Sequence, residues 1–123
     1  MKDSKLIDSS VWLDYFINGL HKKIIDSNEI LMLSALSLFE IKKKLTKIKV
    51  SSKTISKSIG FIKKRSIILS LNAEIAEKAV DVSIEKNLPA IDSLIYITAI
   101  KNDATLLTLD NDFKGLKNAV LLR

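Results

Sequence analysis

Five carboxylates stand where a chain of alternating strands and helices would gather them. Asp8 closes the short apolar stretch "SKLI", and Asp110 and Asp112 close "ATLLTL". Asp92 opens the apolar segment "AIDSLIYITAI", and Glu40 sits in "SALSLFEIKKKL". Carboxylates packed together raise one another's pKa unless a cation neutralises them. The chain has no Cys and one His, so the donors on offer are hard oxygens, which select Mg2+ or Mn2+. A metal so held lowers the pKa of bound water and stabilises the leaving oxygen of a phosphodiester, and no side-chain nucleophile or histidine base is then required. Asp8, Glu40, Asp92 and Asp110 are therefore the candidate catalytic and metal-ligating residues. Each also has a plain structural role. Asp92 would complement a helix dipole, Asp8 could help cap a helix, and Glu40 could pair with Lys43 or Lys44 at helical spacing.

Asp110 and Asp112 need not be equivalent. Residues two apart in a strand face the same way, but Asn111 is a turn former, and "DFKGL" reads as a helical turn. The expectation is that the strand delivers Asp110 to the metal. Asp112 then caps the turn and takes a peripheral metal role, with Phe113 packed back on the sheet.

The elements that must position these groups follow from hydrophobic spacing. "SKLIDSSVW" gives a strand ending at Asp8, after which Ser9 or Ser10 caps a helix through "VWLDYFI". "EILML" is a strand, and in the helix after it Leu38, Ile41, Leu45 and Ile48 share one face while Glu40, Lys43, Lys44 and Lys47 share another. "SSKTISKSIGFIKKR" is a second basic helix capped by serines, followed by the strand "SIILSL" and a helix with Asn72 as N-cap. A helix punctuated by Pro89 carries Asp92 in its first turn, with Ile91, Leu94, Ile95 and Ala99 as its apolar stripe. "ATLLTLD" and "AVLL" are the last strands. Strands that are continuously apolar and alternate with helices predict a three-layer α/β/α sandwich with a mostly parallel central sheet, in which ligands bind beyond the carboxyl ends of the strands. The 123 residues, with three Gly and one Pro, fit one domain spanning 1–123.

The net charge of +6 is unevenly spread. Residues 41–73 hold ten basic side chains and no acidic one, and the remainder carries a balance of −4. This polarity suits a polyanion beside a carboxylate site, although lysines also line ordinary solvated helix faces. No apolar run approaches the roughly 20 residues of a membrane span, and the N-terminus has no apolar signal core, so a cytoplasmic protein is expected. The absence of Cys excludes disulfides and thiol catalysis. His21, in "NGLHKK", reads as part of an exposed polar turn.

With "LIDSSVW", "SALSLFEIKKKL", and "LPAIDSLIYITAI" followed by "ATLLTLDNDF", the chain resembles the PIN-domain ribonucleases over nearly its full length, most closely the VapC-type toxins of toxin–antitoxin modules. The resemblance implies that Asp8, Glu40, Asp92 and Asp110 form the acidic metal site, with Asp112 more peripheral. It also implies that Ser9 and Thr108 orient carboxylates or water. It further implies RNA hydrolysis with Mg2+ or Mn2+, a homodimer, and inhibition by a cognate antitoxin. Lys43, Lys44 and Lys47 are the candidate RNA contacts. The departure from the family pattern is "DSS" where "DTN" or "DTS" is usual, which keeps a hydroxyl and a small polar residue.

Three other readings compete with this one. A receiver domain needs a phosphoacceptor Asp at a middle strand end, where "SIILSLN" offers Asn72. A haloacid-dehalogenase-type phosphatase needs its DxD at the first strand. A non-catalytic RNA-binding or interaction module would keep the carboxylates as structural groups.

Overall fold

The computed structural model describes residues 4–122. The outermost positions of the expected 1–123 domain, residues 1–3 and 123, lie outside the described residues. The chain runs β1 (Ser4–Ile7), α1 (Ser9–Asn18), α2 (Lys22–Ile25), β2 (Ile30–Ser34), α3 (Ala35–Lys47), α4 (Ser52–Arg65), β3 (Ser66–Leu69), α5 (Ala73–Lys86), α6 (Ala90–Lys101), β4 (Ala104–Thr108), a 3-10 turn (Asn111–Phe113) and β5 (Ala119–Leu121).

The strands form one sheet in the order β3-β2-β1-β4-β5, and every pairing is parallel. Alternation along the central strands divides the core in two. Ile7 and Leu107 turn to the face covered by α1, α3 and α4, where they meet Trp12, Ile41, Leu45 and Ile62. Leu6 and Leu106 turn to the other face, against Ile95, Tyr96 and Ala99 of α6 and against Phe113. This is the expected α/β/α sandwich, its central strands apolar because both faces are covered. Phe113 packs on the sheet as predicted, and burying such a ring contributes about 1.5–3 kcal/mol.

Two helix starts match the sequence expectation, Ser51 Oγ accepting the Thr54 N–H and Asn72 Oδ1 that of Ile75. The start of α3, for which no cap was expected, is held by Ser34 Oγ, which accepts the Leu36 N–H. The start of α1 does not match. Its N-cap is Asp8, whose side chain makes no capping bond, and Ser9 and Ser10 lie inside the helix. In that position their hydroxyls are free to reach across to other elements. The last turn is also rearranged, because Asp110 and not Asp112 caps it, accepting the Asp112 N–H at 2.9 Å. The strand stops at Thr108, which leaves Asp110 at the N-cap position of the 3-10 turn.

"NGLHKK" is not a free polar turn. Gly19 ends α1 in the left-handed region at φ 70°, and His21, at φ 66°, precedes the unforeseen α2. The His21 ring, largely buried, lies 2.7 Å from Asp14 Oδ2. Beyond α2, Arg65 at the end of α4 donates to the carbonyls of Ile25, Ser27 and Glu29, tying the segment before β2 to the basic helix. Among the described residues no helix is long and apolar enough to cross a membrane.

Candidate metal centre at the carboxyl edge of the sheet

The strand order reverses at β1 and β4, which pair side by side and open a crevice at their carboxyl ends. Asp8 follows β1, and its backbone N–H continues the ladder to Leu107 O at 2.9 Å. Its side chain is only 4% exposed, and Oδ2 accepts from Ser10 Oγ and Thr108 Oγ1, each at 2.8 Å. Burial raises its pKa, the two hydroxyls act in the opposite sense, and the charge of Asp110 adds to the rise.

Thr108 is the hinge of this arrangement. Besides donating to Asp8, its Oγ1 accepts the Asp110 N–H at 3.0 Å, so one hydroxyl sets both the carboxylate after β1 and the backbone after β4. Ser10 braces the same junction by accepting the Leu109 N–H at 3.0 Å. Sequence reading singled out Ser9 and Thr108 and missed Ser10 as a site residue. Ser9 reaches a different carboxylate, donating to Glu40 Oε1 at 3.0 Å. Glu40, half-buried on α3, has its pKa raised chiefly by burial and further by the charges of Asp8 and Asp110.

Asp92 enters from the first turn of α6. Its carboxyl oxygen and those of Asp110 and Asp112 lie within 4.8 Å of one another. Its pKa is pushed up to about 7, first by burial, then by the charges of Asp110 and Asp8 and by hydrogen bonding to Asp112. The sequence-predicted carboxylates thus converge on one edge, with Asp92, Asp110 and Asp112 the tightest group and Asp8 and Glu40 linked to it through Asp110. Asp112, expected at the margin, belongs to the tight group because the 3-10 turn folds it back over Asp110.

Among the described residues the ion pairs are Lys5–Glu29, His21–Asp14 and Lys101–Glu74, and none neutralises these five carboxylates. An oxygen-only donor set whose like charges lack a counter-cation fits a hard divalent ion. Positive charge stands close by without entering. Lys43, Lys44 and Lys47 are exposed on α3, and with Glu40 and Ile91 they line a hollow of about 360 Å3.

Residues 5–118 match the family model of the PIN domain, and the chain belongs to the PIN-domain family. Solved structures share the fold. A toxin–antitoxin complex from Klebsiella pneumoniae superposes with a TM-score of 0.78 at 20% identity, over 94% of this chain and 95% of that one. The toxin VapC20 of Mycobacterium tuberculosis, described as cleaving the sarcin–ricin loop, gives 0.76 at 15% identity, over 97% and 98%. VapBC2 from Rickettsia felis, bound to a DNA fragment from its promoter, gives 0.75 at 19%, over 97% of each chain. No curated protein sequence matches the chain.

Proposed function

We propose that this PIN-domain protein is a metal-dependent endoribonuclease that hydrolyses RNA phosphodiester bonds, and that it is the toxin of a VapBC-type module. The observation that carries the reading is the group of Asp92, Asp110 and Asp112, their oxygens within 4.8 Å of one another, at the switch point of a PIN fold. Asp8, Glu40, Asp92 and Asp110 are the residues that would hold Mg2+ or Mn2+, and Asp112, hydrogen-bonded to Asp92, would support them. A divalent ion bound there supplies acidification of water at neutral pH and neutralisation of charge on the leaving oxygen.

The chain's own residues do the positioning. The hydroxyls of Ser10 and Thr108 fix the Asp8 carboxylate, and Ser9 fixes Glu40. Lys43, Lys44 and Lys47 attract the phosphate backbone along the side of α3 that carries Glu40. Support for the toxin role comes from the fold shared with toxin–antitoxin proteins, and a cognate antitoxin and a homodimer acting in the cytoplasm belong to the same reading.

The test is incubation of the purified protein with a mixed RNA substrate in Mg2+, in Mn2+ and in chelator. Metal-dependent internal cleavage that disappears in Asp8→Asn and Asp92→Asn is expected. Retained activity in either variant removes the metal-site assignment, and uncut RNA under all conditions leaves the carboxylates as structural groups.

A further inference from the structure

We propose that Phe39 is a stacking platform for an unpaired base of the RNA substrate. The inference rests on the ribonuclease reading and adds to it a residue that selects substrate.

Phe39 is 66% exposed in the middle of a well-formed helix, immediately before Glu40. Of the other apolar side chains of α3, Ile41 and Leu45 are buried and Leu36 and Leu38 partly so, while the lysines stand in solvent. A large aromatic ring left in water is not explained by the packing of α3. It stands on the ridge between two hollows. One, of about 360 Å3, opens toward Glu40 and Ile91, beside the carboxylates. The other, of about 500 Å3, lies between α3 and α4 and is bordered by Lys42 and Lys63. Phe39, Lys43 and Lys47 line both.

The charge around the ring selects the occupant. The Lys43 ammonium sits 5.7 Å from the ring centroid, one helical turn along the same face. Proteins that hold single strands combine a basic groove with aromatic faces on which bases stack, and the ring serves any base because every base has a π-face. A strand laid from the carboxylates over Phe39 toward α4 would stack a base on the ring and bring its phosphates to Lys43 and Lys47. Bases paired in an A-form duplex do not present their faces, so a duplex gains the lysine contacts and forfeits the ring.

The experiment is a titration of short single-stranded RNA carrying 2-aminopurine, in chelator so that nothing is cut, with wild type, Phe39→Leu and Phe39→Trp. Leu keeps an apolar helix-forming side chain and removes only the π-face. Because the residue is exposed, both variants should melt like wild type. Expected are quenching of 2-aminopurine by wild type and Phe39→Trp, loss of quenching in Phe39→Leu with affinity weaker by about tenfold, and no effect of Phe39→Leu on duplex RNA. Equal affinity and quenching in wild type and Phe39→Leu overturn the proposal and mark the ridge as an apolar contact for protein. Cleavage by wild type, assayed separately with Mn2+, reports on the nuclease reading itself. Active wild type with an indifferent Phe39 overturns only the stacking role.

Discussion

Thr108 Oγ1 donates to Asp8 Oδ2 at 2.8 Å across a hundred residues of chain, with both side chains buried. The same oxygen receives the Asp110 N–H. Thr108→Val keeps the shape and deletes the hydroxyl, leaving a buried carboxylate one donor short and a backbone N–H without its acceptor. It should cost about 1–3 kcal/mol in chemical denaturation, while Thr108→Ser stays near wild type. Because the hydroxyl holds the Asp8 pKa down, its loss should also move the acid limb of the cleavage profile to higher pH. Wild-type stability and profile in Thr108→Val would show that the bond is incidental.

Asp92 contributes to the pH dependence of metal-free stability, in the same sense as Asp8 and Glu40. Its folded pKa of about 7 lies above the ordinary aspartate value, so between these two limits the folded state binds more protons than the unfolded. Stability contributed by the protonated carboxyl is present at acid pH and is lost as pH rises toward 7. Since the group is half exposed, the discounted effect is about 1 kcal/mol. Asp92→Asn should flatten the dependence of Tm on pH over this range and raise Tm at neutral pH. A Tm in Asp92→Asn that falls with pH as steeply as in wild type would assign the slope to another group.

Apart from α2, the order of strands and helices was readable because the longer helices show their period and the strands are short apolar runs between them, and Asp8, Asp92 and Asp110 were readable because they sit next to the ends of such segments. What could not be read were choices between neighbours. Whether Ser9 or Ser10 meets Asp8 depends on the phase at which α1 leaves the sheet, and one residue of phase turns a side chain by about 100°. Whether Asp110 or Asp112 caps the last turn depends on β4 stopping at Thr108, a boundary set by its pairing with β1 and β5 and not by local composition. The four residues of α2 are too few to show a period, and the exposure of Phe39 depends on how α3 lies against α4 and α6.

Divalent metal should stabilise the protein in proportion to occupancy. Free Mn2+ at about a hundredfold excess over its dissociation constant raises stability by about 2.7 kcal/mol. The rise in Tm should disappear in Asp110→Asn, which keeps the turn because an Asn side-chain oxygen can still accept the Asp112 N–H. An equal rise in wild type and Asp110→Asn would place metal elsewhere.

Asp110 and Asp112 should differ in cleavage. Asp110→Asn is expected to be nearly inactive. Asp112→Asn should lose about 10 to 100-fold and recover partly in excess Mn2+, as expected where a neighbouring group supports a metal's ligands. Equal loss unrescued by Mn2+ would make Asp112 a direct ligand.

Replacing Lys43, Lys44 and Lys47 with Gln should weaken RNA binding and flatten its salt dependence. Each lost phosphate contact removes about 0.7 from the magnitude of the log–log slope. An unmoved slope would mean that these lysines face only solvent.

The pairing of β1 with β4 also sets a clock during synthesis. Asp8 and Asp110 become neighbours only when strands about a hundred residues apart lie side by side. At about 10 residues per second, roughly 10 s separate translation of the two. In the second half of that interval the growing chain carries its lysine-rich helices but no assembled carboxylate group. A nascent chain still attached to the ribosome therefore lacks the assembled carboxylate group until Asp110 has been made and has left the exit tunnel.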